Sequence, residues 1–348
     1  SPAADESAAL FAVVKQQVIG QVLSQTVRAV EFADLYGKLR AAGLHPIVVK
    51  GALCSRLYPL KDHRISADDD IHIPEGEFLT CHEQLLAAGF ATETTPDELS
   101  TADEVSYTKK DSPLYIELHR HLFDSSEDAH DDLNRFFADF QPVEIDGFLA
   151  MPPHEHLLYL ILHAYKHFVN CGIGLRQFCD IGLWAREYHD AIDWQKLHDQ
   201  CASVHAATFA SAAFRIATEY LGIAIELPPL WHTSIDVEPM LHDTLCGGVY
   251  GSNDYTRLHS STITLNAVKS SRKGGKSTIL RTVFPKKVYL ESRYPYLKKH
   301  PYLLPVAWAQ RIIHYAEEKQ GSADNSASGS IKLAKERIAL MKQYDIMD

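Results

Sequence analysis

Three consecutive aspartates, Asp68-Asp69-Asp70, stand where a polar loop runs into an apolar strand. Carboxylates are the natural ligands of hard cations such as Mg²⁺. Period-two alternation puts Asp68, Asp70 and His72 on one face of that strand and Asp69, Ile71 and Ile73 on the other. Asp68 and Asp70 therefore point the same way and repel each other, and a bound divalent cation would remove the cost. An acidic triplet is most often a solvated turn. Here the neighbours argue otherwise. Ile47-Val48-Val49 reads as a buried strand ended by Lys50-Gly51, followed by an apolar helical segment, Ala52 to Tyr58, that Pro59 stops. A glycine at a strand end lets backbone N–H groups at a helix start approach a phosphate. A candidate metal pair and a candidate phosphate cradle thus adjoin in sequence, joined by a polar loop carrying Arg64 and Ser66.

Lys50-Gly51, then Leu57-Tyr58-Pro59, then Arg64 to Ile73 spell K-G, L-Y-P and R-x-S-x-D-x-D-I-x-I. This string resembles the nucleotidyltransferases of the DNA polymerase β superfamily, closest to the bacterial nucleotidyltransferase family proteins and related to the abortive-infection type toxins. Where the superfamily usually carries Gly-Ser or Gly-Gly, this chain has Lys50-Gly51-Ala52, so the serine hydroxyl is missing. The resemblance covers about residues 45 to 310. It implies a third carboxylate on a later strand. Leu114 to His119 supplies one: its alternation sets Tyr115, Glu117 and His119 on one face, and Glu117 matches the place. It also implies a lysine on one helix and an Arg-x-x-x-Asp on the next, facing the nucleotide, which Lys166, Arg176 and Asp180 match.

The resemblance thus implies that an NMP moves from an NTP to an acceptor hydroxyl and pyrophosphate leaves. Asp68, Asp70 and Glu117 would be both the catalytic and the metal-holding residues, with two Mg²⁺, or Mn²⁺ as the alternative. Lys50, Gly51, Arg64, Ser66, Lys166, Arg176 and Asp180 would bind the nucleotide. The acceptor would be a small molecule or a protein, with tRNA as the alternative. Two competing readings are a toxin-type transferase that modifies tRNA and a nucleotide-binding module that has lost its chemistry.

The elements around these residues predict an α+β fold: a small mixed β-sheet nucleotidyltransferase core with flanking helices, followed by a mainly α-helical domain. Residues 1–45 would form a helical segment packing on the core. Within it, residues 8–42 read as a helix with an apolar stripe through Leu10, Val14, Ile19, Val22, Val27, Val30 and Phe32. The catalytic core would span 46–150, with a hairpin pairing Val105–Lys109 with Leu114–Leu118 and a loop-like stretch at 91–102. A helical domain with a basic C-terminal strap would occupy 151–319, opening at Pro152-Pro153. A flexible linker and terminal helix, the latter from Ile331 to Tyr344, would fill 320–348.

The 348 residues carry a formal charge of −11, with hydrophobic residues at 46% and charged residues at 23%, ordinary for a globular protein. The charge is uneven. Residues 269–311 hold eleven basic side chains against Glu291, a net +10, leaving −21 elsewhere. Such a segment could meet a polyanion or balance acidic neighbours. SRKGGKST at 271–278 mimics a phosphate-binding loop, but Ser270 stands where the first glycine is required. FPKKVYLESRYPYLKKHPYLLPVAWAQR, from residue 284, is similar to a C-terminal signature of the same family. The six cysteines (54, 81, 171, 179, 201, 246) form no CxxC pair, and SPAADES lacks a leader's basic and apolar runs, so a cytoplasmic protein is expected. No apolar run approaches about 18 residues, so no membrane span is expected. His163 and His167 sit at i,i+4, yet there is no HExxH and neither Cys171 nor Cys179 has ligand spacing, so no structural zinc is expected.

Overall fold

The computed structural model describes residues 2–123, 133–170, 172–247, 268, 290, 294, 296–317 and 327–347. The chain divides into two compact units. The first comprises Ser1–Ile161, Cys179–Gln200 and Ile223–Glu226, and the second Leu162–Phe178, Cys201–Gly222 and Leu227–Asp348. Residues 124–132, Cys171, the 271–278 loop and much of the basic 269–311 segment lie outside the described residues.

The first unit is built on a six-stranded mixed sheet, the α+β arrangement expected. Its strands are β1 (Ile47–Val48), β2 (Asp69–His72), β3 (Glu104–Thr108), β4 (Tyr115–His119), β5 (Val143–Ile145) and β6 (Phe148–Ala150), in the order β3-β4-β2-β1-β6-β5. Two antiparallel hairpins, β3–β4 and β5–β6, flank a centre in which β2 runs parallel to β4 and antiparallel to β1, while β1 runs parallel to β6. The β3–β4 hairpin falls where alternation placed it. The β5–β6 hairpin was not anticipated, although its turn, Asp146-Gly147, takes positive φ at both residues (54° and 83°), and an Asp-Gly pair is a strong signal for such turns. The stretch at 91–102, expected to be loop, holds a one-turn helix, Pro96–Leu99. It is fixed by a capping box in which Thr95 and Glu98 satisfy each other's backbone N–H.

One face of the sheet's centre carries Asp69, Ile71, Ile116 and Leu118, all buried. A carboxylate among three aliphatic side chains must find a cation, because an unpaired buried charge is costly. The long N-terminal helix α1 (Pro2–Ala41) supplies it. Arg28 Nη2 lies 2.7 Å from Asp69 Oδ2, and Arg28 also donates to the carbonyls of Pro113 (2.9 Å) and Tyr115 (3.4 Å). One guanidinium therefore ties β2 to the β3–β4 hairpin. The buried face of α1 is Gln25, Arg28, Phe32, Leu35, Tyr36 and Leu39, at helical spacing. That corrects the stripe read from the sequence. Leu10, Val14, Ile19, Val27 and Val30 are exposed, and of that stripe only Phe32 is fully buried. Two polar residues continue the core face instead, because they have partners to meet there.

Helices α2 (Ala52–Ser55), α3 (Phe78–Ala87) and α4 (Pro96–Leu99) fall between the strands; α5 (Pro153–Asn170) follows the sheet, then α6 (Leu175–Glu187), α7 (Trp194–Ala202), α8 (Ala207–Glu219) and α9 (Glu238–Gly247). In the second unit Phe168 packs on Phe209, with ring centroids 5.3 Å apart, and on Tyr344. The last helix runs Ala327–Gln343, so it takes in residues expected to belong to a flexible linker. Its Arg337 is fully buried, donates to Asp243 Oδ2 at 3.0 Å and to the Phe168 carbonyl, and so anchors the helix within its own unit. No helix among the described residues is long and apolar enough to cross a membrane.

Breaking the buried Arg28–Asp69 pair on one side should be costly, whereas removing both charges should not. Arg28→Ala strands a buried carboxylate and is expected to cost about 3–5 kcal/mol. The double change Arg28→Met with Asp69→Asn should recover much of that loss. Urea unfolding of the three proteins checks both, and equal losses for the single and double variants would contradict the assignment.

Candidate active site

The parallel register of β2 and β4 sets Asp70 directly beside Glu117 and His72 beside His119. Neighbouring residues of paired strands project to the same side, so Asp70, Glu117 and His119 share a face, as alternation within each strand predicted. Their ligating atoms all lie within 4.8 Å of one another, the one such group of three or more His, Cys, Asp or Glu among the described residues. His119 Nε2 is 3.2 Å from Asp70 Oδ1 and 3.9 Å from Glu117 Oε2. Carboxylate oxygens with one imidazole nitrogen suit a divalent cation.

The negative charge is compensated by the protein itself. Lys50, at the end of β1, places its ammonium 2.8 Å from Asp70 Oδ1 and 3.7 Å from Asp68 Oδ2. Burial works against the Lys50 charge, but Asp70, Tyr159 and Asp68 outweigh it and hold the ammonium above its ordinary pKa. Glu117 is handled differently. Burial, then Asp70 and Glu104, push its carboxyl up to about 8, against a smaller opposing pull from Lys50. On the other face, burial raises Asp69 to about 6 although Arg28 pulls it down. The repulsion between Asp68 and Asp70, expected from sequence to await a metal, is thus already relieved by Lys50.

Gly51 is required where it stands. Its φ is +46°, and a Cβ there would come within 2.6 Å of Asp69 Oδ1. It opens helix α2 (Ala52–Ser55), a single turn where one or two were expected between Ala52 and Tyr58. Arg64, which is buried, and Ser66, which is half-buried, belong to one clamp. Arg64 donates from Nε to Asp180 Oδ1 at 2.9 Å and from Nη2 to Oδ2 at 2.7 Å, and Nη1 donates to Ser66 Oγ at 2.5 Å. Tyr58 OH also donates to Asp180, at 2.8 Å. Gln25 closes the other side, accepting from the Ser66 N–H and donating to the Ser66 carbonyl, both at 3.0 Å. Arg64, Ser66 and Asp180, expected to face a nucleotide, are brought together and bound to one another. Lys166 and Arg176 belong to the second unit. His163 and His167 are there too, with their Nε2 atoms 3.2 Å apart.

Four residues that matter here were not singled out as functional from the sequence: Arg28, Gln25, Tyr58 and His119. For Arg28 and Gln25 the signal was their position four and seven residues before Phe32 on the core face of α1. For His119 it was the shared face with Glu117.

A central carboxylate strand, flanked by a lysine–glycine turn and by a parallel strand bearing a third carboxylate, defines a nucleotidyltransferase-type core. Residues 7–222 match the family described as uncharacterised nucleotidyltransferase, and the chain belongs to that family. No curated protein and no solved structure matches the chain.

The raised Glu117 pKa has a defined sign. The folded state holds a proton that the unfolded carboxyl releases near its ordinary value of 4.5, so stability falls as pH rises from about 4.5 to about 8. Glu117→Gln removes this contribution. The melting temperature of that variant minus wild type should grow between pH 5 and pH 8 in metal-free buffer; a constant difference would mean that Glu117 titrates as an ordinary carboxyl.

Proposed function

We propose that the protein transfers an NMP group from an NTP to an acceptor hydroxyl, with release of pyrophosphate, and that the reaction needs a divalent metal. The observation that carries this reading is the pairing of Asp70 with Glu117 across β2 and β4, with Asp68 close enough to share Lys50. Bound to these carboxylates, divalent ions such as Mg²⁺ supply charge stabilisation for the attacking and leaving oxygens. Asp68, Asp70 and Glu117 hold them. Once ionised by a bound metal, Glu117 would also be placed to help take the proton from the acceptor hydroxyl. With a metal held by Asp68 and Asp70, Lys50 would be available to the triphosphate, where an ammonium makes strong charge-assisted contacts. Gly51 leaves room at the same turn. Arg64, Ser66 and Asp180 act through position: their clamp fixes the loop that delivers Asp68 to Asp70. The assignment of Lys166 and Arg176 to the nucleotide rests on the family resemblance alone, and tRNA as acceptor rests on the +10 segment alone.

A second reading is a nucleotide-binding module without chemistry. The observation that favours it is the Lys50 ammonium, which occupies the space between Asp68 and Asp70 where a cation would sit.

Incubation of the protein with each labelled NTP, Mg²⁺ and a cell extract, followed by location of the label, separates the two readings. Asp68→Asn should abolish labelling while leaving the melting temperature near wild type, because Asp68 is half-buried and its contact with Lys50 is long. Asp70→Asn should abolish labelling and also lower stability, because it removes the closest partner of a buried ammonium. Full labelling in Asp68→Asn and Asp70→Asn would sink the catalytic assignment, and no label transfer by wild type would favour the binding module.

Lys166 is tested separately by calorimetric titration with a non-hydrolysable NTP. Lys166→Ala should bind it more weakly than wild type; unchanged affinity would remove Lys166 from the nucleotide site.

A further inference from the structure

We infer that His119 is a metal ligand, and that its imidazole makes the Asp70–Glu117–His119 position favour Mn²⁺ or another first-row transition ion over Mg²⁺. The inference rests on the metal-dependent transfer proposed above and concerns which ion fills one of its positions.

The geometry comes first. A divalent ion with octahedral bonds of about 2.1 Å has its donor atoms about 3.0 Å apart when adjacent and about 4.2 Å apart when opposite. His119 Nε2 lies 3.2 Å from Asp70 Oδ1 and 3.9 Å from Glu117 Oε2, inside that range. A carboxylate also stands behind the ring. The imidazole is buried, 6% exposed, and its other nitrogen, Nδ1, lies 3.7 Å from Glu104 Oε2. Glu104 is the residue directly across from His119 in the β3–β4 pairing. At 3.7 Å this is an ion-pair contact rather than a hydrogen bond, but a carboxylate on that side favours a proton on Nδ1 and leaves the Nε2 lone pair for the ion, the usual arrangement of a metal-bound histidine.

The donor chemistry then sets the preference. Carboxylate oxygen serves Mg²⁺ and Mn²⁺ alike, whereas imidazole nitrogen suits transition ions and is a poor ligand for Mg²⁺. Asp68 is not part of the histidine-bearing group. Asp68 and Asp70 together offer oxygen only, so the two positions are chemically unlike: one takes Mg²⁺ readily, and the other is biased by nitrogen.

The test uses the full chain, stripped of metal, and Mn²⁺ alone. Electron paramagnetic resonance counts the bound ion, and its pulsed form reads coupling to a directly ligated ¹⁴N nucleus. Wild type should bind Mn²⁺ with clear ¹⁴N modulation. His119→Asp replaces nitrogen by oxygen: it should still bind Mn²⁺, lose the modulation, and show a lower Mn²⁺-to-Mg²⁺ affinity ratio in competition. If His119→Asp does not fold by circular dichroism, His119→Gln carries the same readout. Bound Mn²⁺ without ¹⁴N modulation in wild type, or modulation that persists in the variant, overturns the inference and leaves the metal-dependent transfer standing. No bound Mn²⁺ in folded wild type overturns the metal site itself.

Discussion

Four carboxylates are crowded onto two neighbouring strands and the residue just before one of them, and the rest of the first unit is arranged to make that tolerable. Asp68, Asp69 and Asp70 are consecutive, so a strand must send Asp69 to the opposite face from its neighbours. Asp69 enters the aliphatic layer and is held by Arg28, while Lys50 is shared by Asp68 and Asp70. Glu117 meets no cation as close and keeps a proton instead. Three different devices, a buried guanidinium, a shared ammonium and a raised pKa, therefore solve one electrostatic problem. A cation entering this site competes with Lys50 and with the Glu117 proton, which makes metal binding an exchange of positive charge rather than an addition of it.

The same economy explains the loop before β2. Arg64 makes a bidentate pair with Asp180 on α6, receives further support through Tyr58, and reaches Ser66, which Gln25 of α1 holds from the other side. Buried ion pairs add little net stability when compared with apolar packing, but they are demanding in geometry. Here that demand falls on the segment that must deliver Asp68 beside Asp70. Gly51 meets a related demand, since the backbone passes so close to Asp69 that no side chain fits.

The terminal helix and α1 illustrate how polarity misleads when read along one element. On α1, the aliphatic residues from Leu10 to Val30 look like a core stripe, yet Gln25 and Arg28 are the residues that go inside. On the last helix, Arg337 is more deeply buried than most of its apolar neighbours because Asp243 and the Phe168 carbonyl receive it. A long polar side chain is buried when several acceptors converge on it, and convergence belongs to the fold.

What the sequence alone determined were the features governed by local periodicity. Alternation put Asp68 and Asp70 on one face of their strand and Glu117 and His119 on one face of theirs; the hairpin at 104–119 followed from its two alternating strands, and the K-G and R-x-S-x-D-x-D strings marked the family. The β5–β6 hairpin was equally legible in its Asp-Gly turn, though it went unread. What only the tertiary structure decided was which charge meets which. Gln25 reaches Ser66 across 41 residues, Arg28 reaches the Pro113 carbonyl across 85, and Arg64 reaches Asp180 across 116. Spacing in sequence carries no record of such pairs. The parallel register that sets Asp70 beside Glu117 is of the same kind: each strand declares its own faces, but only the sheet decides which residue stands opposite.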